Sequence, residues 1–220
     1  MIRSLMSVIR KFAGQACLGM LIATVSAAAG GAAYDDLIKS VNSGSGSEVA
    51  SWLRRGMDPN TIDPTGQPLL HLAARSGSLD VVKVLANAGS NLERRNVAGE
   101  SALMLAALQG HTEIVKFLIA KEAQVNHPGW TPLIYAATAG HTEIIKVLLD
   151  NHAYIDATSP SGVTSLMMAV RGGHQASVKL LIEEDADVSV KNDVGDSALS
   201  WAEARQQPEI AKLLRVKLMP

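Results

Sequence analysis

One cysteine, Cys17, stands in the 220 residues, and it lies in an apolar stretch close to the start. A chain that sheds this stretch has no thiol, so it forms no disulfide and offers no thiolate as nucleophile or metal ligand. Aromatic residues make up 4% of the chain, so a core has to be built from aliphatic side chains and closely approaching alanines. Charge is also nearly absent as a net quantity. Twenty Lys and Arg stand against 21 Asp and Glu, a formal charge of −1, with no basic excess to grip a phosphate backbone. Nor is there a Gly-rich phosphate loop, a nucleophile elbow or a pair of converging carboxylates. Together these absences exclude a nucleic-acid partner, a small-molecule substrate and a cofactor, and they point away from an enzyme.

What the sequence does have is a glycine that returns on a fixed ruler. Gly66, Gly99, Gly129, Gly162 and Gly195 recur at one constant step, except that the step from Gly99 to Gly129 is three residues short. Gly77, Gly110, Gly140 and Gly173 keep the same rhythm, short step included. A period of about 33 residues defines a solenoid whose units bury their apolar faces only against their neighbours. Between the two glycines of each unit runs a short segment rich in Leu and Ala, such as Ser101-Ala102-Leu103-Met104-Leu105-Ala106-Ala107 or Thr131-Pro132-Leu133-Ile134-Tyr135-Ala136-Ala137. Ser or Thr opens four of the five segments, where a hydroxyl caps free N–H groups, and glycine closes a helix in left-handed geometry. A second helix follows, as in Ile114-Val115-Lys116-Phe117-Leu118, with a wide apolar stripe broken by one solvent-facing lysine. The polar links, such as 91–98 and 187–194, suit exposed β-hairpins.

These residues resemble the ankyrin repeat: Thr131-Pro132-Leu133, Gly-His-Thr-Glu-Ile at 110–114 and again at 140–144, and Leu72-Ala73-Ala74. The resemblance implies an all-α ankyrin solenoid of helix-turn-helix units joined by short β-hairpin loops. Five repeats are expected over 63–218 (about 63–95, 96–126, 127–158, 159–191 and 192–218), with a degenerate capping unit over 34–62. The capping unit rests on Trp52 and Gly56, which fall one full period before Leu85 and Gly89. At the other end, Gln206-Gln207-Pro208 replaces the usual Gly-His, as a terminal cap would.

Residues 1–33 read differently. Arg3, Arg10 and Lys11 form a basic head, an apolar run follows, and small residues close it from Ser26 to Ala33. That is the layout of a secretory signal peptide, with cleavage after Ala27 or Ala33. Removing its three basic residues takes the charge from −1 to −4. An uncleaved membrane anchor is the competing reading, because the stretch from Phe12 to Tyr34 carries no charge and is long enough to span a bilayer. Either way the repeats are delivered across the membrane. The expected location is a Gram-negative periplasm; secretion, as an effector that binds another organism's proteins, or anchoring at the inner membrane facing the periplasm, is the alternative. The chain also resembles small exported bacterial ankyrin proteins, some of them linked to catalase-dependent peroxide resistance.

His111, His141 and His174 share one register after the helix-ending glycines, which suits bonds to backbone between units better than a metal site. Met104, Met167 and Met168 fall on first helices as core filling. What remains for function is surface. The resemblance implies that another protein is bound, by a monomer, through hairpin tips and the exposed side of the first helices. The candidate residues are Arg75, Arg94, Arg95, Val97, Leu108, Trp130, Val163, Arg171, Asp193 and Asp196. Trp130 stands where other units place Gln67, Glu100, Val163 and Asp196, a slot read as solvent-facing; it is either a binding anchor or a ring folded down on apolar neighbours. The short step removes three residues from the hairpin beside it, Asn126-His127-Pro128-Gly129, leaving either a notch for a partner or a neutral loop deletion.

Overall fold

A computed structural model describes residues 31–218. Within them twelve helices follow one another: α1 (31–42), α2 (Gly46–Arg54), α3 (Leu69–Ser76), α4 (Leu79–Asn87), α5 (Ala102–Gln109), α6 (Thr112–Ala120), α7 (Pro132–Ala139), α8 (Thr142–Asp150), α9 (Ser165–Gly172), α10 (Gln175–Glu183), α11 (Ala198–Ala204) and α12 (Pro208–Leu218). The hydroxyls of Ser101, Thr131, Thr164 and Ser197 accept from the N–H three residues on and so start α5, α7, α9 and α11. Of the five repeats' first helices, only α3 begins without such a cap, at Pro68.

First helices pack on first helices and second helices on second helices. Every substantial helix contact lies within a unit or between neighbouring units, which is a stack and not a closed bundle. The first helices inside the stack are its driest parts. In α5 all six residues from Ala102 to Ala107 are buried, because helices press on both sides of it. Met104, Met167 and Met168 are buried as well.

The links between units are tighter than hairpins. Asp63, Asn96, Ser159 and Asn192 each donate their N–H to the carbonyl four residues on and accept from the N–H three residues on. One such ring leaves no length for strands, and strand pairing among the described residues is limited to the isolated bridges Ile62–Pro68 and Lys191–Ser197.

Glycine and histidine lock successive units together. The Nε2–H of His111, His141 and His174 donates to the carbonyl of Arg75, Leu108 and Thr138, at 3.1, 3.0 and 3.0 Å, in the last turn of the preceding first helix. The imidazole therefore lies flat on the closing glycine. A Cβ on Gly110, whose φ is +81°, would stand 2.6 Å from His141 Cε1. At Gly99, φ +78°, a Cβ would meet nothing within 4 Å.

The two ends are finished differently. At the front, the Tyr34 hydroxyl on α1 donates to the Ile62 carbonyl. At the rear, Gln206 takes the left-handed position (φ 56°) that glycine holds elsewhere, and α12 is tied back by Arg215 to Glu203 and by Lys217 to Asp185 at 2.8 Å.

Gly99→Ala should carry only the backbone cost of a left-handed L-residue, about 1–2 kcal/mol. Gly110→Ala should cost about 1 kcal/mol more, since it also displaces the His141 bond. Thermal unfolding of the two variants checks the order; equal midpoints would mean that the imidazole contact holds nothing.

Candidate partner-binding surface

A second ladder runs through the links and fixes where the deletion falls. Side-chain oxygens of Asn60, Glu93, Asn126 and Asp156 accept the N–H of Asn91, Gln124, Tyr154 and Asp187, at 2.8, 2.8, 2.8 and 3.0 Å. Asn126 keeps this rung, so the three missing residues come out of the tip between Asn126 and Gly129. In the other four tips an Asp, Asn or Ser side chain accepts from the N–H groups two and four residues on, as Asn96 does from Ala98 and Glu100. Among the described residues neither this cap nor the backbone ring recurs at 126–130.

Each intact tip leans back over the tip glycine of the unit before it. Val97 Cγ1 lies 3.9 Å from where a Gly66 Cβ would be, Pro160 lies 3.5 Å from that of Gly129, and Asn192 and Asp193 lie 3.0 Å from that of Gly162. Nothing leans over Gly99. The shortened tip therefore opens a gap between the second and third units. Trp130 borders it, 38% exposed, with its ring set edge-on to Tyr135 at a centroid distance of 5.8 Å. One edge of Trp130 packs on Tyr135 and the remainder faces solvent. The Tyr135 hydroxyl donates to Glu100 at 3.2 Å, and burial together with the Glu100 charge pushes its pKa up to about 12. Arg95, on the other side, donates to the Gly99 carbonyl at 2.6 Å. Beneath the gap, His127 is folded in with its side chain 5% exposed. Its Nε2 stands 3.8 Å from Glu93 Oε2, and both atoms are buried without a hydrogen-bond partner.

The other expected surface residues divide. Val97, Arg75, Arg95, Arg171 and Asp193 are exposed, and Leu108 is half-buried on the first-helix face. Arg94 is half-buried and donates to the Asn60 carbonyl at 2.9 Å, while Asp196 accepts from Trp201 Nε1 at 3.1 Å. Val163 departs from the expectation. It is 8% exposed, because the fifth tip closes over this turn through the Asp193 N–H to the Ser161 carbonyl. The slot shared with Trp130 is thus half-buried in most units and closed in the fourth. Glu93, Tyr135 and His127 were not evident as gap residues from the glycine spacing alone. Their signal was the distance from the ladder side chain to the tip glycine, which shortens only after Asn126. No group of three or more His, Cys, Asp or Glu that could hold a metal occurs among the described residues.

The family model described as "Ankyrin repeats (3 copies)" matches residues 37–128, 70–159, 123–192 and 153–218, and the chain belongs to the ankyrin-repeat family. It is 42% identical over 62 residues to Notch-regulated ankyrin repeat-containing protein A of Danio rerio, covering 28% of this chain and 55% of that one. It is 35% identical over 74 residues to human protein phosphatase 1 regulatory subunit 27, covering 33% and 48%. A third match, 34% identical over 87 residues, is to glycerophosphocholine phosphodiesterase gde1 of Schizosaccharomyces pombe, covering 38% of this chain and 8% of that protein. The chain spans about half the length of the first two relatives. Ankyrin-repeat proteins are in general non-catalytic, and the repeats make this stack a protein-binding scaffold.

Two buried imidazoles make stability depend on pH. His71 is fully buried with Nε2–H donating to the Glu100 carbonyl at 2.9 Å, and burial lowers its pKa. Burial lowers that of His127 too, helped by Arg95 and opposed by Glu93. The unfolded chain, with histidines near 6.5, then binds more protons than the folded one below about pH 6.5, so stability falls as the solution is acidified. The unfolding midpoint should drop between pH 7.5 and 5.5, and the drop should shrink in His71→Gln/His127→Gln; an unchanged slope in the double variant would refute this assignment.

Proposed function

We propose that this chain is a non-catalytic scaffold, exported across the inner membrane, that binds another protein on the concave side of the stack around Trp130. The observation that carries the site is the open junction over Gly99, bordered by a partly exposed aromatic pair, in a stack whose other interior tip junctions are filled. An aromatic anchor beside a recess is the arrangement that concentrates binding energy in protein interfaces. The regulatory subunit among the relatives fits a role in which binding itself is the activity. Export rests on the basic head and apolar core of residues 1–33, of which 1–30 lie outside the described residues. The periplasm is the proposed location, with support of catalase-dependent peroxide resistance as the narrower role that the bacterial resemblance suggests.

Crosslinking in intact cells followed by mass spectrometry should recover a protein adduct that falls at least tenfold in Trp130→Ala; an undiminished adduct would remove the site. The mature mass should correspond to residues 28–220 or 34–220, and an intact N-terminus would replace cleavage with anchoring. A deletion strain should lose peroxide tolerance, and normal tolerance with normal catalase activity would strike out the narrower role.

A further inference from the structure

The charges on the two sides of the stack are spent differently. On the second helices, Lys116 pairs with Glu113 and Glu143, Lys146 with Asp150 and Lys179 with Glu183. On the tip and first-helix side three carboxylates are engaged, while that of Asp193 in the fifth tip is exposed. Glu100 accepts from Tyr135 and Asn96, Asp63 from Thr65 and Gln67, and Asp196 from Trp201. The exposed arginines of this side, Arg75, Arg95 and Arg171, have no carboxylate partner among the described residues. Along the stack their placement is centred on the gap, although Arg75 and Arg171 stand in the last turns of their first helices and Gly99 and Trp130 precede the first turns. Arg95 bonds the backbone at Gly99, Arg75 lies on the first unit and Arg171 on the fourth, one unit beyond the gap on either side.

From this we infer that the occupant of the gap is an extended, acidic segment of a partner protein. An apolar side chain fills the space over Gly99 against Trp130 and Tyr135, one carboxylate meets Arg95, and others reach Arg75 and Arg171. The proposal rests on the concave-face reading above and adds the partner's chemistry. Arginine suits the role, since its planar fork bonds a carboxylate through two N–H groups and its charge persists at any physiological pH. Neighbouring helices about 9 Å apart place Arg75 and Arg171 about 27 Å from one another. A strand at about 3.3 Å per residue covers that span in about eight residues. A segment of this length with acidic residues towards both ends and one large apolar residue near its middle matches the surface. The shortened tip also leaves the backbone N–H groups of His127, Gly129 and Trp130 without protein partners among the described residues.

The test pans a random twelve-residue peptide library, displayed on phage, against the immobilised full chain. Enriched sequences should carry net negative charge with acidic residues on both sides of an apolar one. A fluorescein-labelled peptide of the enriched sequence should then bind at least tenfold more weakly to Arg75→Glu/Arg171→Glu. The same loss is expected when Asn126–Pro128 is replaced by a copy of Asp156–Ser161, which rebuilds the missing tip and closes the gap. Lys146→Glu, on the opposite side, should bind within twofold of the parent. Unfolding midpoints of all variants establish that they fold. No enrichment, enrichment without acidic preference, binding unmoved by both the arginine and the tip variants, or displacement of the peptide by an equal concentration of a single-stranded oligonucleotide would each overturn the inference. A cellular adduct that needs Trp130 but survives both the arginine and the tip variants would leave the concave-face reading standing and remove this one alone.

Discussion

The bond on which the stack depends is made between units, not within them. The last carbonyls of a helix have no partner in that helix, and here an imidazole from the next unit supplies one for α3, α5 and α7. The ring can reach only by lying on the helix-closing glycine, so glycine is required there twice over: for its left-handed backbone and for the space a Cβ would occupy. The first helices α3, α5 and α7 are therefore each completed by a successor. That dependence explains why the terminal units look different. The last closing position needs no ring above it and takes Gln206, and a longer α12 covers the exposed end.

The deletion near Gly129 touches none of this. Asn126 keeps the inter-unit rung, His141 keeps its carbonyl, and α5 and α7 stay packed together. Only the tip is lost, with its side-chain cap and the residue that would have covered Gly99. The change spares these bonds between the units, yet opens the surface at one junction, and so reshapes the surface without loosening the fold. The unpartnered His127 and Glu93 atoms are the local cost, since two buried polar groups stand too far apart to satisfy each other.

Much of this was legible in the sequence because a repeat states each rule several times. The glycine period, the Ser or Thr caps and the shared histidine register each follow from an interaction that recurs along the stack, the caps on four of the five first helices and the imidazole bonds on three. Val163 was misjudged because its slot is polar in three of the four other units, while its burial comes from the following tip, a contact that no property of Val163 encodes. Trp130 was undecided for the same reason: how much of an indole faces water depends on what the neighbouring tip leaves uncovered. His127 gave no signal of its own. Its burial follows from a missing segment, and a missing segment leaves no residues to read.

An imbalance in hydrogen bonding, more than in charge, distinguishes the tip and first-helix side. There the carboxylates of Glu100, Asp63 and Asp196 are held by tyrosine, asparagine, threonine, backbone and indole donors, so bringing a cation to them would mean breaking bonds already made. Its exposed arginines keep most of their donors for water, and exchanging water for a carboxylate forfeits no protein contact. Salt screens such pairs at the open ends more than beside Trp130, where an apolar side chain would exclude water and strengthen them. The aromatic pair and the arginines therefore depend on each other. The rings alone would accept any apolar group, and the arginines alone any anion; a segment that presents both at the right spacing is held by the two together, which is how a surface without a deep pocket can still discriminate between partners.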